Sequence, residues 1–160
     1  MKYLVDTSTI LLGSKYETYE RKYFPKYWNN FDILIHEGEI VSTKAVYNEL
    51  IAKDDDFKSW ANENKNIFHT PGPEVLICGN KLSQKFPNWY QTGMIKQNWA
   101  DPELIAFAKI HDLVLVTQEK WNNGTKTKKE NYKIPTICEK IGAKCHIGDK
   151  FHENIENQGF

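Results

Sequence analysis

The sequence contains little cysteine, no long apolar segment and no excess of charge of either sign. Its three cysteines, Cys78, Cys138 and Cys145, include no C-x-x-C pair, which argues against a disulfide framework or a zinc module and favours reduced thiols in a cytoplasmic protein. No apolar run approaches the roughly 20 residues of a membrane helix, so we expect no membrane partner. The 21 basic and 21 acidic side chains cancel, and any nucleic-acid binding must therefore come from local basic clusters.

Short, mostly apolar segments alternate with helical patterns along the chain. The segments that predict strands are residues 3–5, 40–42, 113–117 and 143–147. The segments that predict helices are residues 9–12, 25–38, 45–52, 56–65, 101–111 and 135–141, and one more follows residue 147. Residues 75–86 allow a helix or a strand followed by a helix, and 87–98 have no clear period. At 160 residues the chain fits a single domain, 1–160, and the alternation predicts an α/β, Rossmann-like fold with a mainly parallel central sheet flanked by helices.

Four acidic residues occupy comparable positions at the ends of these elements. Asp6 directly follows the first strand, and Glu119 follows the strand that ends at Thr117. In a parallel sheet both lie at the carboxyl edge. Asp101 precedes the apolar stripe of its helix by three and four residues, and Glu49 borders the stripe of its own helix, so both can point towards the sheet. We predict that the four carboxylates converge on one pocket.

Each acid also has an ordinary structural interpretation. Asp6 and Asp101 could be helix N-caps, the second with Pro102 at the first helical position, and Glu49 and Glu119 could be solvated surface acids. Together, however, four carboxylates at one end of a sheet would repel one another, and bound divalent cations are the usual remedy. Oxygen-only ligation favours one or two Mg²⁺ or Mn²⁺ ions. The histidines lack the clustered spacing of a zinc centre.

The acidic segments resemble the PIN domains, a family of metal-dependent ribonucleases with a Rossmann-like fold. The segments that carry the resemblance are Val5-Asp6-Thr7-Ser8, Val46-Tyr47-Asn48-Glu49-Leu50, Asp101-Pro102-Glu103-Leu104-Ile105-Ala106-Phe107-Ala108 and Val116-Thr117-Gln118-Glu119. They span nearly the whole chain and are most similar to a bacterial branch related to the VapC toxins. Two features depart from the family, since Glu119 stands where most members have Asp, and the insertion at 56–98 is long for a minimal toxin.

The resemblance implies an Mg²⁺- or Mn²⁺-dependent endoribonuclease that hydrolyses RNA phosphodiester bonds as the toxin of a type II toxin–antitoxin pair. It makes Asp6, Glu49, Asp101 and Glu119 the catalytic, metal-binding residues. Asp6 and Asp101 are then direct ligands, Glu49 is a ligand or orients the attacking water, and Glu119 serves a second site or the outer shell. The implied partners are RNA, an antitoxin protein and, as an option, a second copy of the chain.

Basic and hydroxyl side chains accompany the acids. The basic residues that follow Glu119 are Lys120, Lys126, Lys128, Lys129 and Lys133. They could contact RNA phosphates or form a solvated loop. The hydroxyls of Thr7 and Thr117 could hold phosphate or water at the same site, or serve only in capping and turns.

The sequence leaves two other functions open. A PIN-like binding module could take metal, RNA or another protein without cleavage, and the Glu119 departure favours this alternative. A phosphatase or phosphoacceptor could use Asp6 as its nucleophile, but Ser8 stands where haloacid-dehalogenase-like enzymes have a second Asp.

Overall fold

The structure, a computed structural model, describes residues 2–15, 17–53, 55–94, 99–120 and 132–157. Its strands are β1 (Tyr3–Val5), β2 (Ile40–Thr43), β3 (Phe68–His69), β4 (Val114–Thr117) and β5 (Cys145–Ile147). Its helices are α1 (Thr7–Leu11), α2 (Pro25–His36), α3 (Lys44–Lys53), α4 (Asp55–Glu63), α5 (Pro73–Lys85), α6 (Pro87–Met94), α7 (Asp101–His111), α8 (Ile134–Ile141) and α9 (Gly148–Glu156). A 3₁₀ turn, Lys65–Ile67, precedes β3.

The five strands form one parallel sheet in the order β3-β2-β1-β4-β5. This arrangement confirms the predicted Rossmann-like α/β fold. Val5 of β1 pairs with Val116 of β4, so Asp6 and Thr117 are the next residues along two neighbouring strands. Because parallel strands share a carboxyl edge, the residues that follow β1 and β4 lie side by side there.

The central strands are buried completely, as their unbroken apolar sequences predict. Leu4, Val5, Leu115 and Val116 have no exposed surface, and the buried apolar side chains of the described residues form one hydrophobic cluster. Burial of each such side chain is worth roughly 1.5–3 kcal/mol. The sheet is therefore a rigid support for the side chains at its edge.

Proline and glycine set several helix boundaries. Pro25 is the first residue of α2, where its fixed φ and missing N–H carry no cost. Gly142 ends α8 with a left-handed φ of 70°, a conformation that favours glycine. Within the described residues, no helix combines the length and the apolar character needed to cross a membrane, and the three cysteines form no disulfide.

The structure differs from the sequence prediction in two places. Asp101 is not an N-cap: Ala100 takes that position with helical backbone angles, Asp101 is the first helical residue, and no side chain caps the helix. At this N-terminus the Ala100 N–H donates to Glu49, which is distant in sequence. The short strand β3 was not predicted, and the segments that lacked a clear pattern form α5 and α6.

Candidate metal centre

Asp6 both caps a helix and faces the acidic site. Its Oδ1 accepts a hydrogen bond from the Thr9 N–H at 2.8 Å, as an N-cap requires. Its Oδ2 accepts from the Thr117 hydroxyl at 2.6 Å, and the Ser8 hydroxyl lies 2.8 Å from both oxygens. Burial raises the pKa of Asp6, while these hydrogen bonds oppose the rise. The capping interpretation is thus correct, and it does not compete with a role in the site.

Glu49 joins three segments of the chain at the same edge. It lies on α3 and is partly buried. Its Oε1 accepts from the Ala100 N–H at 3.1 Å, and its Oε2 accepts from the Thr7 hydroxyl of α1. Glu49 is therefore not a solvated surface acid, since both of its carboxylate oxygens have protein donors.

Glu119 follows β4 and is also held by backbone groups. Its own N–H donates to the Thr117 hydroxyl oxygen at 3.1 Å. Its Oε2 accepts from the Ile134 N–H at the start of α8, at 2.9 Å. The Lys133 ammonium lies 3.9 Å from Oε1, and the Glu119 side chain is 28% exposed. Glu119 thus connects the end of β4 to the first turn of α8.

Asp101 shows most directly that the four acids are neighbours. Burial, and after it the charges of Glu119, Asp6 and Glu49, raise its pKa to about 7. The indole N–H of Trp99 lies close enough to lower this pKa in part, although it is not aligned for a hydrogen bond. Like charges disfavour one another's ionised forms only at short range, so the predicted convergence of the acids is also seen in their electrostatics.

The four carboxylates line one cavity of about 240 Å³. The other residues that line it are Thr7, Ser8, Leu11, Trp99 and Leu104. Sequence reasoning missed two of these. The sequence analysis gives Ser8 no role in the site, and its place directly after Asp6-Thr7 is the available signal. Trp99 lies two residues before Asp101, directly after the segment 87–98 that has no clear period.

The donor set has the chemistry of a magnesium or manganese site. Four carboxylates offer hard oxygen ligands, and a divalent cation would offset the charge that raises the Asp101 pKa. Among the described residues, however, no three His, Cys, Asp or Glu side chains are already arranged to hold an ion. Glu49 and Glu119 each have one carboxylate oxygen that accepts from a backbone N–H group, and the remaining lone pairs of these carboxylates are still able to bind an ion.

The predicted phosphate-binding lysines are only partly described. Lys126, Lys128 and Lys129 lie outside the described residues. Lys120 is exposed, and Lys133 is paired with Glu119. Lys133 is therefore positioned to balance the charge of an acid in the cavity as well as to meet a phosphate.

The Thr117 hydroxyl connects Asp6 to Glu119, and we expect its loss to destabilise the protein. Thr117→Val keeps the side-chain shape and removes a hydrogen bond to a buried carboxylate, so the free energy of unfolding should fall by about 1–3 kcal/mol. Thr43→Val is the matched control, because the Thr43 hydroxyl is buried at the end of β2 without a hydrogen-bond partner. Urea unfolding of both variants measures the difference, and equal stability would show that the Thr117 bonds contribute nothing.

The fold and the site together define a class: a Rossmann-like α/β protein with a cavity lined by four carboxylates at the carboxyl edge of its parallel sheet. Within this class, the chain belongs to the family described as a domain of unknown function, DUF4411, which matches residues 3–154. The match includes all four acids. Comparison with curated proteins gives no match.

Proposed function

We propose that this protein is a metal-dependent endoribonuclease of the PIN-like kind that hydrolyses RNA phosphodiester bonds in the acidic cavity. The observation that supports it is the convergence of Asp6, Glu49, Asp101 and Glu119, with the pKa of Asp101 raised to about 7 by burial and by the other three. The cavity lies beyond the carboxyl ends of parallel strands, where proteins of this architecture bind their ligands. Four buried or partly buried acids have no evident structural purpose that requires them to share one cavity.

The side chains would have different roles in such a site. When bound, Mg²⁺ or Mn²⁺ supplies Lewis-acid stabilisation to a phosphodiester and lowers the pKa of an attacking water. Asp6 and Asp101 would hold the ion, and Thr117 and Ser8 fix the orientation of Asp6 through their hydroxyls. Glu49 would complete the ligand set or orient the water. Glu119 is tied to α8 and would act from the outer shell.

The biological role that we propose follows the resemblance to VapC-like toxins. In that role the nuclease arrests growth by cutting RNA, and a small antitoxin protein inhibits it. Induced expression in a bacterial host, with the Asp101→Asn variant as the inactive counterpart, tests this part separately from the chemistry. Arrest by the wild type alone supports the toxin role, and growth unaffected by an active nuclease argues against it.

We expect purified protein to release new fragments from single-stranded RNA with Mg²⁺ or Mn²⁺ and to release none with EDTA. The same ions should raise the melting temperature by about 5–10 °C at a hundredfold excess over the dissociation constant. Asp112→Asn is a suitable control for the loss of an acid outside the cavity, because Asp112 is a surface acid whose side chain is 79% exposed. Intact RNA together with an unchanged melting temperature at millimolar ion would contradict both the chemistry and the metal site.

A binding module without nuclease activity is the second candidate. The observation that favours it is that, among the described residues, no three His, Cys, Asp or Glu side chains are already arranged to hold an ion. RNA that is bound and recovered uncut, with metal present, would support this candidate over the nuclease.

A further inference from the structure

A second cavity, of about 330 Å³, lies beside the acidic cavity and shares Trp99 with it. It is formed by α5, α6 and the start of α7, and α5 packs against α7. Its volume is at the lower end of the range for small-molecule sites. The Trp99 indole ring would therefore lie between a ligand in this cavity and the four carboxylates.

Aromatic rings give this cavity a rigid wall. Trp99 packs edge-to-face against Trp89, with ring centroids 4.7 Å apart and an interplanar angle of 64°, and against Tyr90 at 5.9 Å and 62°. Trp89 is buried, whereas Tyr90 and Trp99 both line the cavity. Aromatic side chains held in this way are the usual platforms for unstacked bases of single-stranded RNA.

Gly79 lines the cavity at a position where the fold does not require a glycine. It lies inside α5, where glycine destabilises a helix relative to alanine. Its φ is not positive, and a Cβ at this position would meet no atom within 4 Å. Neither the backbone conformation nor packing explains the glycine. The absence of a side chain at position 79 does, however, leave space in the cavity for a ligand.

The polar groups of the cavity suit a neutral ring better than a phosphate. Among the described residues, no cationic side chain lines it, and Glu103 contributes a carboxylate. One oxygen of Glu103 accepts from the Ala45 N–H at 3.3 Å, which holds the carboxylate in place. Asn80 adds a side-chain amide. An amide and a carboxylate are the side-chain groups that bond the amino-bearing edge of a base.

We propose that the cavity between Gly79 and Trp99 binds one nucleobase of a single-stranded RNA whose phosphodiester lies in the acidic cavity. The placement of the phosphodiester rests on the proposed function. The base site itself rests on the shape and chemistry of the second cavity. The base stacks against the aromatic wall, and its amino edge bonds to Asn80 or Glu103.

Gly79→Leu tests the base site, because Gly79 lines the cavity and an added Cβ meets no atom within 4 Å, so we expect the rest of the leucine side chain to occupy the space of the base. Binding is measured by fluorescence anisotropy with a short labelled oligoribonucleotide, in the Asp101→Asn background so that the RNA stays intact. We expect Gly79→Leu to weaken binding roughly 10- to 100-fold, as loss of one stacked base does. Gly79→Ala is the control, because it changes helix propensity in the same direction but adds only one carbon, and it should bind within a few-fold of its parent. Both variants should melt no lower than the parent, because both residues favour a helix more than glycine.

A series of oligonucleotides, each lacking the base at a different position, identifies the base that binds in the cavity. Removal of the base at one position should weaken binding to the Asp101→Asn parent by roughly 10- to 100-fold. Removal of the same base should not change binding to the Gly79→Leu variant. Equal binding of the parent and Gly79→Leu, or an unchanged response to every abasic position, overturns the base site.

Cleavage assays with Gly79→Leu alone separate this inference from the proposed function. Wild type that cuts RNA while Gly79→Leu cuts it equally well overturns the base site and leaves the nuclease intact. RNA that is bound in a Gly79-dependent way but never cut overturns the nuclease and supports the base site. A metal-dependent rise in melting temperature that persists in Gly79→Leu shows that the acidic cavity is undisturbed.

Discussion

Asp6→Asn is expected to lower the rate of RNA cleavage by roughly 100-fold or more, while the metal-free protein stays at least as stable as the wild type. Asparagine is as good an N-cap as aspartate, so the bond from the Thr9 N–H to Oδ1 is kept. The substitution removes a negative charge that burial already disfavours, and it removes one of the metal ligands that we propose. Single-turnover cleavage and thermal unfolding with and without Mg²⁺ measure the two effects.

Asp6→Ala separates the structural role of this carboxylate from its chemical role. Alanine loses the cap and leaves the hydroxyls of Ser8 and Thr117 without their acceptor. The free energy of unfolding should fall by roughly 1–3 kcal/mol. If Asp6 were only a cap, Asp6→Asn would retain activity and only Asp6→Ala would lose it, through unfolding. That pattern would remove Asp6 from the proposed site.

The sequence predicted the positions of the acids because three of them stand at the end of a periodic element and Glu49 borders the apolar stripe of its helix. Asp6 follows an apolar strand, and Asp101 starts a helix with proline beside it, so local patterns placed both at one edge of a parallel sheet. The local patterns gave no information about where the hydrogen bonds go. Glu49 accepts from the N–H of Ala100, 51 positions away, and no local pattern predicts this tertiary contact.

The second cavity could not be predicted from the sequence, for a related reason. Residues 75–86 allowed two secondary structures, because Gly79 interrupts the helical pattern of α5, and 87–98 showed no period. The strand β3 has only two residues and exists through its pairing with β2. Elements that depend on their neighbours more than on their own composition leave a weak local signal. The same segments form the cavity to which we assign a base.

Because the pKa of Asp101 is raised, we expect the stability of the protein and the proposed metal binding to depend on pH. The folded-state pKa is about 7, against an ordinary value of 3.8. Between these values the folded protein keeps a proton that the unfolded chain has released, so the metal-free protein loses stability as pH rises through this range. The full loss is roughly 2–4 kcal/mol, with the lower end favoured because Asp101 is partly exposed. The pKa of Asp6 is raised as well, which adds to the loss in the same direction.

If the proposed metal site is correct, a divalent cation reverses this trend, because it replaces the proton on Asp101. We expect the dissociation constant for Mn²⁺ to fall about tenfold per pH unit from pH 5 towards pH 7 and then to level off, with about one proton released per ion. Calorimetric titrations in buffers of different ionisation enthalpy count that proton. Asp101→Asn should flatten the pH dependence of the metal-free melting temperature, whereas Asp112→Asn, at an exposed position, should leave it unchanged. Ion binding without pH dependence, or an equal slope in both variants, would mean that Asp101 is not the carboxylate at which the proton and the metal compete.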